Sequence, residues 1–129
     1  MLYTSYFDNI DHIRHLHPNM VFVSIAGCAP RNYCGLQYRD LAPKYNWWKE
    51  WHEKFSGNLN SIDSIRFYTD CYYKTVLDKL DALTVMSHFM SFEHSCMLCY
   101  ESPNMFCHRH LVSEWLTKNG FFIEEFSYG

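Results

Sequence analysis

The chain has 129 residues, of which 48% are hydrophobic and 19% charged, so we expect one globular domain (residues 1–129) and exclude a disordered chain. The net charge of −3 does not favour nucleic acid, which needs a basic face. No run approaches the roughly 18 apolar residues of a membrane span, and the start of the chain does not look like a signal peptide. We therefore expect a cytoplasmic protein without a membrane contact, with its six cysteines reduced.

The first quarter of the chain reads as strand, helix, strand. A β-prone run over residues 2–6 is followed by Asp8, which is expected to cap a helix that Pro18 ends. Residues 21–25 are β-branched or aromatic almost throughout, which is typical of a strand buried on both faces.

A long irregular segment follows over residues 27–45. A loop of that length in a compact domain is uncommon and is usually functional. It carries three cations, Arg31, Arg39 and Lys44, against one acid, Asp40, and this local excess of positive charge favours an anionic ligand.

Helical spacing dominates the middle of the chain. Asn46 is expected to cap a short helix whose tryptophans pack in the core rather than stack on bases. A longer helix is expected to begin at Asp63 or Ser64, followed by a further helix over residues 85–92. The apolar stripe of the longer helix comprises Ile65, Tyr68, Tyr72, Val76, Leu80 and Leu83.

The last third predicts a buried strand over residues 95–99, a helix over 107–118 and a strand beginning at Phe121. The element order is then β-α-β-loop-α-α-α-β-α-β. Such alternation predicts a three-layer α/β domain with a short, mostly parallel sheet flanked by helices.

Most of the chemistry lies at one strand–loop–helix junction. Cys99, Tyr100 and Glu101 end the strand, Ser102, Pro103 and Asn104 stand in the loop, and the triplet Cys107-His108-Arg109 begins the helix. In parallel α/β sheets ligands bind outside the carboxyl ends of the strands, where this junction falls.

Several blocks resemble the family catalogued as domain of unknown function 488. In chain order they are residues 3–7, 24–26 with Pro30, 41–43, 98–101, 106–109 and Trp115-Leu116, and the blocks at 98–109 are the specific ones. The resemblance implies a Rossmann-like fold, a site around the Cys-Tyr-Glu and Cys-His-Arg residues, and relatives in bacteria and bacteriophages with a role in nucleotide or nucleic-acid metabolism. Many members carry an arginine after the second strand, where this chain has Gly27-Cys28; Arg31 is the candidate substitute.

Two residues of the junction could do chemistry. Cys107, at a helix N-terminus beside His108 and Arg109, is a candidate nucleophile, and its structural alternative is a thiol on the inward face of the helix. Glu101 is a candidate general acid or base.

The other candidates would hold a ligand. Arg109 and the first amides of its helix form an anion site. The structural alternative is a salt bridge from Arg109 to Glu101 across the loop, which is compatible with ligand binding because it can hold the guanidinium in place. Thr4 and Ser5 could donate to a phosphate or ribose, and Tyr38 or Tyr100 could stack on a base. The remaining candidate ligand-binding residues are Arg31, Cys99 and His108.

Zinc is the less favoured alternative. Cys99, Cys107 and His108 are suitable ligands, but the pair Cys96 and Cys99 lies on one strand, where residues three apart face opposite sides. No cofactor is therefore expected.

The combined interpretation is binding of a nucleotide or similar phosphorylated small molecule at the carboxyl ends of the strands, with nucleotide- or base-processing activity. Two alternatives stay open. One is non-catalytic sequestration of a nucleotide signal, and the other is a module that binds a protein partner through the aromatic residues around Trp47 and Trp51.

Overall fold

The sheet has five strands, all parallel, in the order β3-β2-β4-β1-β5. The structure, a computed structural model, describes residues 1–101 and 105–126, so Ser102, Pro103 and Asn104 lie outside the described residues. The strands are β1 (Leu2–Tyr6), β2 (Val21–Ser24), β3 (Leu36–Gln37), β4 (Ser95–Cys99) and β5 (Ile123–Glu125). The α-helices are α1 (Ile10–Leu16), α2 (Tyr45–Lys54), α3 (Ile62–Thr75), α4 (Ala82–Ser87) and α5 (His108–Lys118).

The strand β4 is the centre of the sheet. It pairs with β1 from Leu2 opposite Ser95 to Tyr6 opposite Cys99, and with β2 on its other side. All five residues of β4 are buried, as expected for a parallel strand covered on both faces.

Helices cover both faces of the sheet. On one face α1 packs Ile13 against Phe22, Cys96 and Leu98. On the other face the larger core joins Met97 to residues of α2, α3, α4 and α5. The chain is therefore a three-layer α/β domain, which confirms the fold class expected from the alternation of elements.

The alternation of side chains along β4 places Cys96 and Cys99 on opposite faces, as expected for a strand. Cys96 packs in the core on the α1 side, whereas Cys99 lies beside the start of α5. The CxxC spacing therefore cannot hold one metal ion.

Several helix boundaries differ from those expected from the sequence, because capping hydrogen bonds and packing decide which of several neighbouring residues begins a helix. Asp8 lies in a 3-10 turn before α1 and is not its cap, and Asn46 lies inside α2. Ser61, rather than Asp63 or Ser64, precedes α3 and accepts a hydrogen bond from the Ser64 amide.

The remaining differences lie near the sheet and in α4. The long segment contains the short strand β3, which its polar and glycine-rich surroundings concealed, and β5 begins at Ile123 rather than Phe121. The helix expected over 85–92 spans Ala82–Ser87, and Leu83 is exposed because α4 starts a new helix axis after Asp81.

Among the described residues, none of the helices has the length and hydropathy needed to cross a bilayer.

Candidate functional site

A cavity of about 700 Å³ lies at the carboxyl ends of β2 and β4. These strands are neighbours, but the chain leaves β2 toward the edge strand β3 and leaves β4, through α5, toward the opposite edge strand β5. Diverging connections open a crevice between adjacent strands, which is where α/β proteins bind ligands.

Loops from both strands and residues of three helices line this cavity. Ala26, Gly27 and Cys28 come from the loop after β2, and Cys99, Tyr100 and Glu101 from the end of β4. The Tyr100 hydroxyl donates to the Cys28 carbonyl and so joins the two loops. The other lining residues are Pro43, Tyr45, Trp48, Trp51, His52, Leu59, Tyr68, Phe106, Cys107 and His108.

The wall opposite the sheet is aromatic. The rings of Trp48 and His52 stack with centroids 5.1 Å apart and an interplanar angle of 19°. Trp51 is buried and its Nε1 donates to Ser64 Oγ at 2.8 Å, which fixes its ring, while Trp48 is half-buried. The wall therefore presents flat aromatic rings, whose orientations are partly fixed by these contacts, to a ligand.

Among the described residues that line the cavity, Glu101 is the one with a carboxylate side chain. Desolvation at the cavity wall raises the pKa of the Glu101 carboxyl above its ordinary value, and the Arg109 charge opposes that shift without cancelling it. A carboxyl with a raised pKa exchanges protons nearer to neutral pH than an exposed one.

His108 is a buried, neutral imidazole at the cavity wall. Its Nε2 lies 2.8 Å from the Ile25 carbonyl oxygen, and because a carbonyl only accepts, Nε2 carries the proton. Burial lowers the pKa of His108 to about 4, and the neighbouring Arg109 charge acts in the same direction. The unprotonated Nδ1 faces Cys107 Sγ at 3.8 Å.

The structure joins Cys99 and Cys107 by a disulfide. The sequence predicts reduced cysteines for a cytoplasmic protein but leaves the state of this pair open. The two cysteines meet because β4 ends beside the residue that precedes α5. A disulfide sulfur carries no thiolate, and Cys107 can therefore act as a nucleophile only after reduction.

Arg109 lies beneath the site and does not line the cavity. It is fully buried, with Nε and Nη2 bonded to the Glu125 carboxylate and Nη1 donating to Cys99 Sγ at 3.0 Å and to the Glu101 carbonyl at 2.5 Å. The ion-pair partner is Glu125, so the alternative pairing with the Glu101 side chain is wrong; β5 brings Glu125 opposite Thr4 in register.

The other sequence candidates also lie outside the cavity lining. Thr4 Oγ1 donates to Glu125 at 2.6 Å, and Ser5 Oγ donates to the Phe126 carbonyl at 2.8 Å, so both buried hydroxyls tie β1 to β5. Arg31 is exposed on the long segment, and Tyr38 packs on His88 with centroids 4.4 Å apart. Of the candidates, the structure brings Cys99, Tyr100, Glu101, Cys107 and His108 together.

Sequence reasoning missed the contribution of α2 and α3 to this site. The helical spacing of Trp48, Trp51 and Tyr68 predicts packing in the core, yet all three residues line the cavity. The available signal was the excess of aromatic residues, 19% of the chain, over what a small core can hold.

Comparison with known proteins agrees with the specific blocks at residues 98–109. The model DUF488-N3a, described as the "Active DUF488-N3 subclade", matches residues 14–120. No curated protein and no solved structure matches the chain. The chain belongs to the DUF488 family, in the subclade that this model describes.

Proposed function

We propose that this protein binds a nucleoside, a flat heterocycle with a hydroxyl-bearing sugar, in the cavity between the ends of β2 and β4. The observation that carries the proposal is that the aromatic residues Tyr45, Trp48 and Trp51 and the acidic residue Glu101 line one cavity of about 700 Å³. A volume of that size lies within the range of about 300–1,000 Å³ typical of small-molecule sites.

The two parts of the lining suit the two parts of a nucleoside. A half-buried indole such as Trp48 stacks on any nucleobase, because every base has a flat π-face. The Glu101 carboxylate accepts hydrogen bonds from a ring N–H or from sugar hydroxyls, and it gives the ligand one orientation.

The charge of the lining limits the ligand. No lysine or arginine is among the described lining residues, and the Arg109 guanidinium is occupied by Glu125 and Cys99. A phosphate inside the cavity would lack a cationic partner and would face Glu101. The proposed ligand therefore differs from the phosphorylated molecule expected from the sequence, because it lacks the phosphate.

Processing of the bound nucleoside forms the second part of the proposal. The matched subclade is described as active, a statement about the subclade. Glu101 is the carboxyl among the described lining residues, and it is the residue that we propose to act on the ligand.

Calorimetric titration with adenosine, guanosine, cytidine and uridine tests the binding. We expect at least one to bind, and Trp48→Leu to weaken it about 5- to 150-fold, since a base–aromatic stack contributes about 1–3 kcal/mol. Phe122→Leu, at a phenylalanine 68% exposed outside the cavity lining, is the matched control and should bind as the wild type does.

Three results would overturn the binding proposal: no nucleoside binds, Trp48→Leu binds normally, or a 5′-monophosphate binds at least tenfold more tightly than its nucleoside. Chromatography of the nucleoside after incubation separates the two remaining alternatives. A converted ligand supports processing, whereas an unchanged, tightly retained ligand supports sequestration and overturns the assignment of Glu101.

A further inference from the structure

Three metal-binding atoms converge at the inner end of the cavity. The Sγ atoms of Cys99 and Cys107 and a ring nitrogen of His108 all lie within 4.8 Å of one another, and all three residues are buried. Two sulfurs and one imidazole nitrogen are a ligand set that Zn²⁺ uses in tetrahedral sites, where a metal draws its ligands to about 2.0–2.3 Å.

The orientation of His108 is that of a metal ligand. Nε2–H donates to the Ile25 carbonyl at 2.8 Å, which leaves the lone pair of Nδ1 directed toward Cys107 Sγ at 3.8 Å. Metal-bound histidines commonly donate their second ring N–H to a backbone carbonyl, which fixes the ring before the ion arrives.

We propose that Cys99, Cys107 and His108 bind one Zn²⁺ when the disulfide is reduced, with the fourth coordination position open to the cavity. All three residues line the cavity, so a water molecule or a ligand atom could occupy that position, as in catalytic sites with three protein ligands. This site is additional to nucleoside binding and does not depend on it.

The change from disulfide to zinc site balances with an external dithiol as reductant. The dithiol supplies two electrons and two protons, its own sulfurs form a disulfide, and the Cys99–Cys107 bond becomes two thiols. Zn²⁺ then displaces both thiol protons to solvent. Two thiolates neutralise the charge of the ion, and the guanidinium of Arg109, which donates to Cys99 Sγ at 3.0 Å, stabilises the thiolate there.

The remaining thiols are outside this cluster. Cys28 and Cys34 are exposed, Cys71 is half-buried and Cys96 lies on the other face of the sheet. Exposed thiols bind metal adventitiously, so Cys34, which is exposed and does not line the cavity, supplies the control.

The experiment uses the full chain, reduced and then freed of reductant under anaerobic conditions. We expect one equivalent of Zn²⁺ to remain after gel filtration, and Co²⁺ to give thiolate charge-transfer absorption with the visible bands of tetrahedral coordination. Cys99→Ser, Cys107→Ser and His108→Gln should each weaken Zn²⁺ binding by more than the ~10–100-fold that follows loss of an outer partner. Cys34→Ser should bind as the wild type does.

X-ray absorption of the wild-type zinc complex makes the test independent of how well the variants fold. Two sulfur neighbours at about 2.3 Å and a nitrogen neighbour at about 2.0–2.1 Å support the site. The proposal is overturned by a reduced chain that binds no zinc, by binding that His108→Gln leaves unchanged, or by binding that is lost in Cys34→Ser. Each result is read without a nucleoside and so leaves the binding proposal untouched.

Discussion

The guanidinium of Arg109 meets the carboxylate of Glu125 through two hydrogen bonds, from Nε to Oε1 at 3.2 Å and from Nη2 to Oε2 at 3.1 Å. Arg109 is fully buried, whereas the Glu125 side chain is 26% exposed. Thr4 donates to the same carboxylate, so the pair joins α5, the edge strand β5 and the inner strand β1. The arginine beneath the cavity therefore organises the framework of the site.

Replacing Arg109 should destabilise the fold strongly. Arg109→Met leaves the Glu125 carboxylate without its partner and is expected to lower the free energy of unfolding by about 3–5 kcal/mol. Chemical denaturation at a fixed redox state of the cysteines measures this change.

The exposed ion pair between Arg14 and Asp11, at 3.5 Å, provides the control. Arg14→Met should change stability by less than about 1 kcal/mol, because solvent screens a surface pair. Equal losses in the two variants would contradict a structural role for the buried pair.

Glu101→Gln should weaken nucleoside binding without unfolding the chain. The amide keeps the size of the side chain but replaces a charge-assisted hydrogen bond with a neutral one, a difference of about 1 kcal/mol or roughly fivefold in the dissociation constant. Calorimetry measures this change, with the exposed Glu124→Gln as the matched control. Tighter binding by Glu101→Gln would show that this carboxylate repels the ligand.

Tyr33 should make stability sensitive to alkaline pH. Its hydroxyl lies 3.0 Å from the Phe22 carbonyl and 2.6 Å from the Leu36 carbonyl, and burial raises the pKa of Tyr33 from its ordinary value of 10.0 to about 12. A raised folded-state pKa means that the stabilisation is complete below pH 10 and is lost as the pH rises from about 10 to 12.

The loss is expected to be about 1 kcal/mol after allowing for solvent screening at a half-buried group. Unfolding curves between pH 9 and 12 should fall more steeply for the wild type than for Tyr33→Phe. Tyr45→Phe, at a tyrosine 70% exposed, is the control and should retain the wild-type slope.

The thiol count should report the state of the Cys99–Cys107 pair. In denaturant without reductant, a thiol reagent is expected to titrate the four free cysteines, Cys28, Cys34, Cys71 and Cys96. After reduction all six should react. Six thiols before reduction, in protein purified without reductant, would show that the pair is held reduced.

The sheet could be predicted from the sequence because parallel strands carry a local signal. The residues expected for the central strand, 95–99, are those of β4, since a strand buried on both faces must be apolar throughout. The strand β3 within the long segment over residues 27–45 was harder to predict, because its two residues, Leu36 and Gln37, are both exposed and show no pattern of burial.

For the site, the concentration of chemically active residue types at residues 98–109 was visible in the sequence, since residue types and their place after a buried strand are local properties. The partner of Arg109 was not, because Glu125 is distant in sequence and reaches Arg109 only through the register of β5 against β1. The same applies to Trp48, whose helical spacing is equally compatible with a core and with a cavity wall.

The sequence by itself determined the order of the elements apart from β3, the three-layer α/β class and the family, because hydrophobic periodicity and short motifs are properties of nearby residues in the chain. Only the tertiary structure decided that the divergence of β2 and β4 opens a cavity, that α2 forms its wall, and that Cys99, Cys107 and His108 meet there. Those relationships depend on strand order and crossover direction, which place residues far apart in the chain within a few ångströms of one another.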